Sequence, residues 1–254
     1  MSKVEIHHSD SPRTAERIAE FFDGVWAGSG AVVPFDVMLA AQHAGGYLAF
    51  AEADGRIQAA SFGFRGSLYD QTTLHSHVTA SVLPGLGYKL KLHQADWARA
   101  QGIEGITWTF DPLVRRNCVF NFEKLGALGV EYLPNFYGSM IDSINRGDES
   151  DRFLAYWALD GRTASVPTLE LQQHAVLAGE AGPVLQNFDD LSAFWVQLPP
   201  DIESLRRSNL SAALEWRFTV RSLLAQRIDS GWVAGPMSKD RTAFLVQPPQ
   251  ETIR

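Results

Sequence analysis

A run rich in Thr and Val, Thr72 to Val82, stops at Pro84-Gly85, and a helical pattern follows from Gly87 to Gln101 and ends at Gly102. Strand, glycine turn and helix in immediate succession constrain the fold more than any other feature, because proline and glycine punctuate both elements and fix where each must end. Upstream, Val4 to His8 reads as a short strand, and Ser11-Pro12 opens a helix in which Ala15, Ile18, Phe21, Phe22 and Val25 recur at spacings of three and four, with Ser11 as its cap. A second helix is expected after Pro34, carrying Val37, Met38 and Ala41 to the Gly45-Gly46 pair. Tyr47 to Ala53 and Ile57 to Phe64 are β-rich runs joined by Asp54-Gly55, a strong hairpin signal. Downstream, Ile106 to Phe110 alternates and halts at Asp111-Pro112, Val114 to Leu125 reads as a helix ended by Gly126, and Val130 to Leu133 and Phe153 to Leu159 read as strands. The order β-α-α-β-β-β-α-β-α-β-β predicts an α/β (α+β) mixed sheet with helices on its faces.

From Asp160-Gly161 to about Gly182 the pattern weakens, as at a linker or domain edge. Beyond it, Phe194 to Leu198 reads as a strand stopped by Pro199-Pro200. Ala213, Trp216, Val220, Leu224 and Ile228 mark the apolar stripe of a long helix, and Trp232 to Ala234 and Thr242 to Val246 are expected to pair. With 45% hydrophobic residues and 11% aromatics, 254 residues sustain one large core or two modest ones. A formal charge of -7 supplies no basic field for nucleic acid or anionic lipid, so neither is an expected partner. Cys118 is the sole cysteine, which excludes an intrachain disulfide, a thiolate zinc cluster and a CxxC pair. No segment reaches the roughly 18 to 20 apolar residues of a membrane span, and Met1 to His8 lacks the apolar stretch of a secretory signal, so a cytoplasmic protein is expected.

Several segments carry a resemblance. Leu74-His75-Ser76-His77-Val78, Gly87-Tyr88-Lys89-Leu90-Lys91-Leu92-His93-Gln94, Thr107 to Val114, Arg116 to Ala127, Tyr132 to Gly138 and Asp151-Arg152 are similar to a group of acetyltransferases in the GNAT N-acetyltransferase superfamily. The likeness covers about residues 4 to 160. Leu198-Pro199-Pro200-Asp201, Leu214-Glu215-Trp216-Arg217 and Arg221 resemble the tail of the same group. The resemblance implies a GNAT acyltransferase domain over 1–162 and a C-terminal α/β extension over 163–254 packed on it. It also implies an acyl-CoA N-acyltransferase acting on a small amine such as an amino acid or derivative. Acetyl-CoA or another acyl-CoA, succinyl-CoA included, would be the co-substrate, with no metal; a homodimer is one possible assembly.

Acyl transfer from CoA needs a phosphate cradle, a donor to the thioester carbonyl, a base and an acid. A glycine turn before a helix supplies a cradle from backbone N–H groups and the helix dipole. By resemblance it lies at Val82, Gly85, Leu86, Gly87 and Tyr88, although Val82 stands where the family pattern has Gln or Arg, and the turn is shorter than in the group resembled. Lys89 and Lys91 either add positive charge there or form the solvated helix face. The carbonyl donor is implied near Thr79 to Val82. His75 and His77, two apart, share one strand face and suit a general base, or else fix the sheet edge; a third ligand for a metal is lacking. Where many relatives place a tyrosine acid, this chain has Phe122, and Tyr137 and Tyr132 are candidate substitutes. Asn117 lies beside the implied pantetheine path or caps its helix. Asp111, Tyr132 and Arg152 are candidate acceptor-binding residues, Arg115 and Arg116 offering further bidentate forks for a carboxylate. Asp111 equally reads as a turn former, Tyr132 as a packing anchor and Cys118 as packing. Two rival readings stand beside catalysis. One is a GNAT-shaped binding or regulatory protein without activity, and the other an assembly in which the helix bearing Trp216 and Phe218 packs on a second chain.

Overall fold

The computed structural model describes residues 4–9, 11–26, 32–138, 148–161, 173–179, 182–189 and 191–249. It separates into two compact units, residues 1–108 and 109–254. The domain edge expected at 162/163 falls outside the described residues.

In the first unit the strands are β1 (Ile6–His8), β2 (Tyr47–Ala53), β3 (Arg56–Leu68), β4 (Gln71–Ser81) and β5 (Gly105–Phe110), hydrogen-bonded in that order. β1 to β4 pair antiparallel, and β4 and β5 pair parallel. Helices α1 (Pro12–Val25) and α2 (Phe35–His43) follow β1, and α3 (Leu86–Ala100) links β4 to β5. Ser11 caps α1 by accepting from Thr14 N–H at 3.2 Å, as its position before Pro12 predicts. The hairpin turn sits at Asp54 and Gly55, both at positive φ, because a two-residue turn of this hand matches the twist of the strands.

The apolar periods sort the faces. Ala15, Ile18 and Phe22 of α1 and Met38 of α2 pack with Leu48, Phe62 and Val78, while Leu86 and Leu90 of α3 pack with Ala51 and Ala59. β3 runs four residues beyond the expected Phe64 and turns through Tyr69, also at positive φ, into β4. This second tight turn has no Gly, Pro or Asn to announce it.

The β3–β4 ladder slips between Phe62, paired with Val78, and Phe64, paired with His75, so that Ser76 and His77 together face Gly63. Such a bulge bends the strand and re-aims its groups. Gly63 is required there: a Cβ would meet the His75 carbonyl oxygen at 2.8 Å. Gly63→Ala is therefore expected to destabilise the protein by about 1–3 kcal/mol, read by urea unfolding. An unchanged midpoint would show that the strands part freely at this point.

In the second unit β6 (Leu128–Leu133), β7 (Arg152–Ala158), β8 (His174–Ala178), β9 (Pro183–Leu185), β10 (Phe194–Gln197), β11 (Val233–Met237) and β12 (Ala243–Gln247) lie in the order β7-β6-β11-β12-β10-β8-β9. The expected closing strands do pair, as β11 and β12, and β11 in turn pairs with β6 through Ala234 and Gly129. Residues on both sides of the expected domain edge thus share one sheet. α5 (Ile202–Ser208) and α6 (Leu210–Asp229) follow β10, and the predicted stripe of α6 is buried at every position. The helix expected over Val114 to Leu125 is instead α4 (Arg115–Cys118) followed by a π-helical segment, Val119–Lys124. Among the described residues no helix is long and apolar enough to cross a membrane.

Candidate functional site

Helix α3 begins at the glycine corner. Gly85 is its N-cap at φ 79, a conformation that L side chains rarely adopt, and a Cβ built on it would have no neighbour within 4 Å. The corner is open on that side, and Val82 and Leu83 flank it with 56% and 39% of their surface exposed. Its amides are unequally spent. Val82 N–H bonds the Gln58 carbonyl at 2.9 Å, Leu83 N–H bonds Ser81 Oγ at 3.3 Å and Leu86 N–H bonds the Leu83 carbonyl at 3.3 Å. Gly85 and Gly87 N–H groups have no acceptor among the described residues. Those two glycines thus carry the free amides of the corner, whereas Leu86 turns its side chain into the core and Val82 offers an apolar surface. Tyr88 is exposed beside them.

β4 leads to this corner. Its pairing with β5 covers only Thr73–His75 against Gly105–Thr107, while its pairing with β3 continues to Ser81. The edge of β4 beyond His75 has no β5 partner among the described residues. The bulge at Ser76 and His77 lies just past the last rung, several residues before the Thr79 to Val82 stretch implied for the carbonyl donor.

His75 and His77 share one side of β4, as their spacing predicts, with ring centroids 6.3 Å apart and the Phe64 ring beside both. His75 Nδ1 lies 3.1 Å from Thr107 Oγ1. Desolvation, with smaller contributions from the charges of His77 and Lys91, lowers its pKa to about 4, and desolvation also lowers that of His77. Both imidazoles are thus neutral at pH 7, and His77 is the exposed one of the two.

Lys91 corrects the reading of α3. It does not lie on the solvated face but is 5% exposed, with Nζ 2.8 Å from Ser76 Oγ, 3.3 Å from Gln94 Oε1 and 4.0 Å from the centroid of the Trp108 ring. Gln94 continues the network to Ser61, which bonds Thr79. Desolvation lowers the Lys91 pKa to about 7. Lys89, two residues earlier, is exposed.

In the second unit two of the candidate acceptor residues, Asp111 and Tyr132, are committed to buried partners outside the candidate set. Asp111 does not face an open site: its carboxylate receives Leu113 N–H at 2.9 Å, Arg206 at 2.6 Å and two bonds from Arg217 at 3.0 and 2.9 Å. Asp148 receives the same two arginines. Tyr132 is likewise buried, its hydroxyl donating to Asp151 at 2.7 Å, and Arg221 pairs with Asp151 and Glu149. Tyr132 and Asp111 therefore take the roles of packing anchor and buried ion partner. Nothing in the local sequence announces this network, since Asp111 and Arg217 are 106 residues apart.

Tyr137 is different, with 45% of its surface exposed and its hydroxyl 3.0 Å from Thr109 Oγ1. The Arg152 guanidinium lies 5.3 Å from its ring centroid and donates to the Asp151 carbonyl. Asn117 is half-buried, its N–H bonded to the Val114 carbonyl in the first turn of α4. Phe122 belongs to a ring cluster with Phe110, Phe153 and Phe244. The Cys118 thiol donates to the Pro112 carbonyl, and burial first, then the Asp111 charge, pushes its pKa up, which makes it inert. A cleft of about 820 Å³ opens between the outer face of α4, the start of α5 and the β11–β12 turn. Arg115 and Lys124 line it, together with Arg116 paired to Glu203 and Arg241 paired to Glu123. Among the described residues no group of His, Cys, Asp and Glu side chains could hold a metal ion.

The mixed sheet with α3 between β4 and β5 has the fold of the GNAT acetyltransferases. It is similar to the structure of an N-acetyltransferase from Staphylococcus aureus Mu50, at TM-score 0.50 and 12% identity, over 62% of this chain and 99% of that one. It is also similar to YncA from Salmonella typhimurium, whose structure holds its cofactor acetyl-CoA, at TM-score 0.50 and 19% identity, over 65% of this chain and 99% of that one. No family model matches the chain, and no curated protein matches it in sequence.

Proposed function

We propose that the protein is an acyl-CoA N-acyltransferase that acylates the amine of a small acceptor of amino-acid type. The observation that carries this reading is the corner: two glycine N–H groups without an acceptor among the described residues, at the start of a 15-residue helix, at the end of a strand whose edge beyond His75 has no β5 partner among those residues. Gly85 and Gly87 would hold the pyrophosphate through backbone N–H groups and the positive end of α3. Val82 and Leu83 would pack apolar parts of the donor. When bound, the acyl-CoA supplies an activated thioester. The free β4 edge would align it, and His77, uncharged at neutral pH, would take the acceptor's proton.

Titration calorimetry with acetyl-CoA and succinyl-CoA, followed by a thiol-release assay over a panel of amines, tests this reading. The wild type is expected to bind at least one donor. Gly85→Ala is expected to weaken that binding about tenfold, because relieving roughly 1–2 kcal/mol of left-handed strain requires the corner to move. In the same assay Tyr137→Phe decides whether the exposed Tyr137 hydroxyl serves the leaving group; unchanged turnover removes it.

A second reading, a GNAT-shaped binding or regulatory protein without catalysis, is favoured by Phe122 in its apolar cluster and by Val82 at the corner. Failure of the wild type to bind either donor at millimolar concentration would leave that reading standing.

A further inference from the structure

The last rung of the β4–β5 ladder joins His75 to Thr107, so the next residues along each strand are Ser76 and Trp108. Lys91 Nζ touches both, hydrogen-bonded to the Ser76 hydroxyl and lying over the Trp108 ring. The groups around this ammonium are Ser76 on β4, the imidazole of His75 close enough to feel its charge, Trp108 on β5, and Gln94 on its own helix, which in turn bonds Ser61 on β3. None is an anion, and no carboxylate lies within ion-pair distance of Lys91 among the described residues.

A buried ammonium without a counter-ion is costly, and a methionine of similar length would fill the same space without that cost. Its neutral partners leave a site of positive potential at the place where the two strands stop pairing. What such a site lacks is an anion.

We propose that Lys91 is the cation that holds the leaving thiolate of the acyl donor. The inference rests on the acyl-transfer reading and names a residue for a step that Phe122 cannot serve. As the acceptor nitrogen forms its bond to the carbonyl carbon, the carbon–sulfur bond breaks and its electron pair goes to sulfur. The acceptor's proton goes to His77, and the Lys91 ammonium faces the new sulfur charge. Before that charge develops, the Ser76 hydroxyl and the Trp108 face hold the ammonium in place.

The test is the pKa of CoA's own thiol when bound to the protein, followed by the ultraviolet absorbance of the thiolate, in wild type and Lys91→Met. An ammonium in contact with sulfur lowers a thiol pKa by about 1–3 units, so the bound thiol is expected to titrate that much lower in wild type than in the variant. A measurement on the wild type alone guards against a variant that fails to fold. By reciprocity, the Lys91 side-chain resonance should titrate at higher pH with CoA than with desulfo-CoA. Equal thiol midpoints in the two proteins, or equal Lys91 titrations with the two ligands, overturn the proposal while leaving acyl transfer intact. No binding of CoA to the wild type overturns the acyl-transfer reading and this proposal with it.

Discussion

Arg217→Ala is expected to lower the unfolding free energy by about 3–5 kcal/mol in urea or guanidinium titrations. Arg217 lies fully buried on α6 and donates four bonds, two to Asp111 and two to Asp148, while Arg206 on α5 donates one to each. Two buried cations and two buried anions balance there, and removal of one guanidinium leaves two buried carboxylates sharing a single arginine. A loss under 1 kcal/mol would mean that water reaches the cluster. The same network fixes an acid limit. Burial alone would raise the Asp111 pKa, but the charge and hydrogen bonds of Arg217, with the charge of Arg206, outweigh it and hold the carboxyl well below the usual range. The folded value is thus below the unfolded one. The contribution is complete above the ordinary Asp value of 3.8 and is lost as pH falls below it toward the folded pKa. Stability is expected to fall steeply in that window in wild type and less steeply in Arg217→Ala.

Lys91 sets the second large effect, in the opposite pH range. Its folded pKa of about 7 is below the ordinary lysine value of 10.5, so the unfolded chain binds a proton that the folded chain does not between those limits. The penalty for burying the ammonium is complete below pH 7 and is relieved as pH rises toward 10.5. Lys91→Met removes the titrating group and is expected to be the more stable protein at pH 6. Its advantage over wild type should shrink by about 4 kcal/mol by pH 10.5, at roughly 1.4 kcal/mol per pKa unit. Denaturant unfolding of both proteins across this range isolates the effect, because other titrating groups are common to the two. A constant difference between them would show that Lys91 stays protonated and solvated.

How far sequence reading reached can be judged at particular residues. Ser11-Pro12, Asp54-Gly55 and Pro84-Gly85 state local backbone geometry, and each marks a real helix start or turn. The stripes of α1 and α6 state one-sided burial and were legible for the same reason. The turn through Tyr69 was not legible, because its left-handed position is filled by Tyr69 rather than Gly or Asn and Asp70 alone does not fix a turn. Lys91 looked like a surface lysine, since a period of 3.6 cannot say whether a polar residue at the edge of the apolar face meets water or a serine and a tryptophan from two strands. The bulge at Ser76 and His77 depends on what Gly63 leaves room for on the neighbouring strand.

By itself the sequence determined the order of elements as far as β7 and their punctuation, because hydrophobic period, proline and glycine act over a few residues, and its motifs carried the resemblance to the GNAT fold. The tertiary structure alone decided that Asp111 belongs to a buried ion cluster and that Lys91 carries its charge where β4 and β5 stop pairing. Each of these depends on groups far apart in the chain, and electrostatics and hydrogen bonding act on distance in space, which local pattern does not encode.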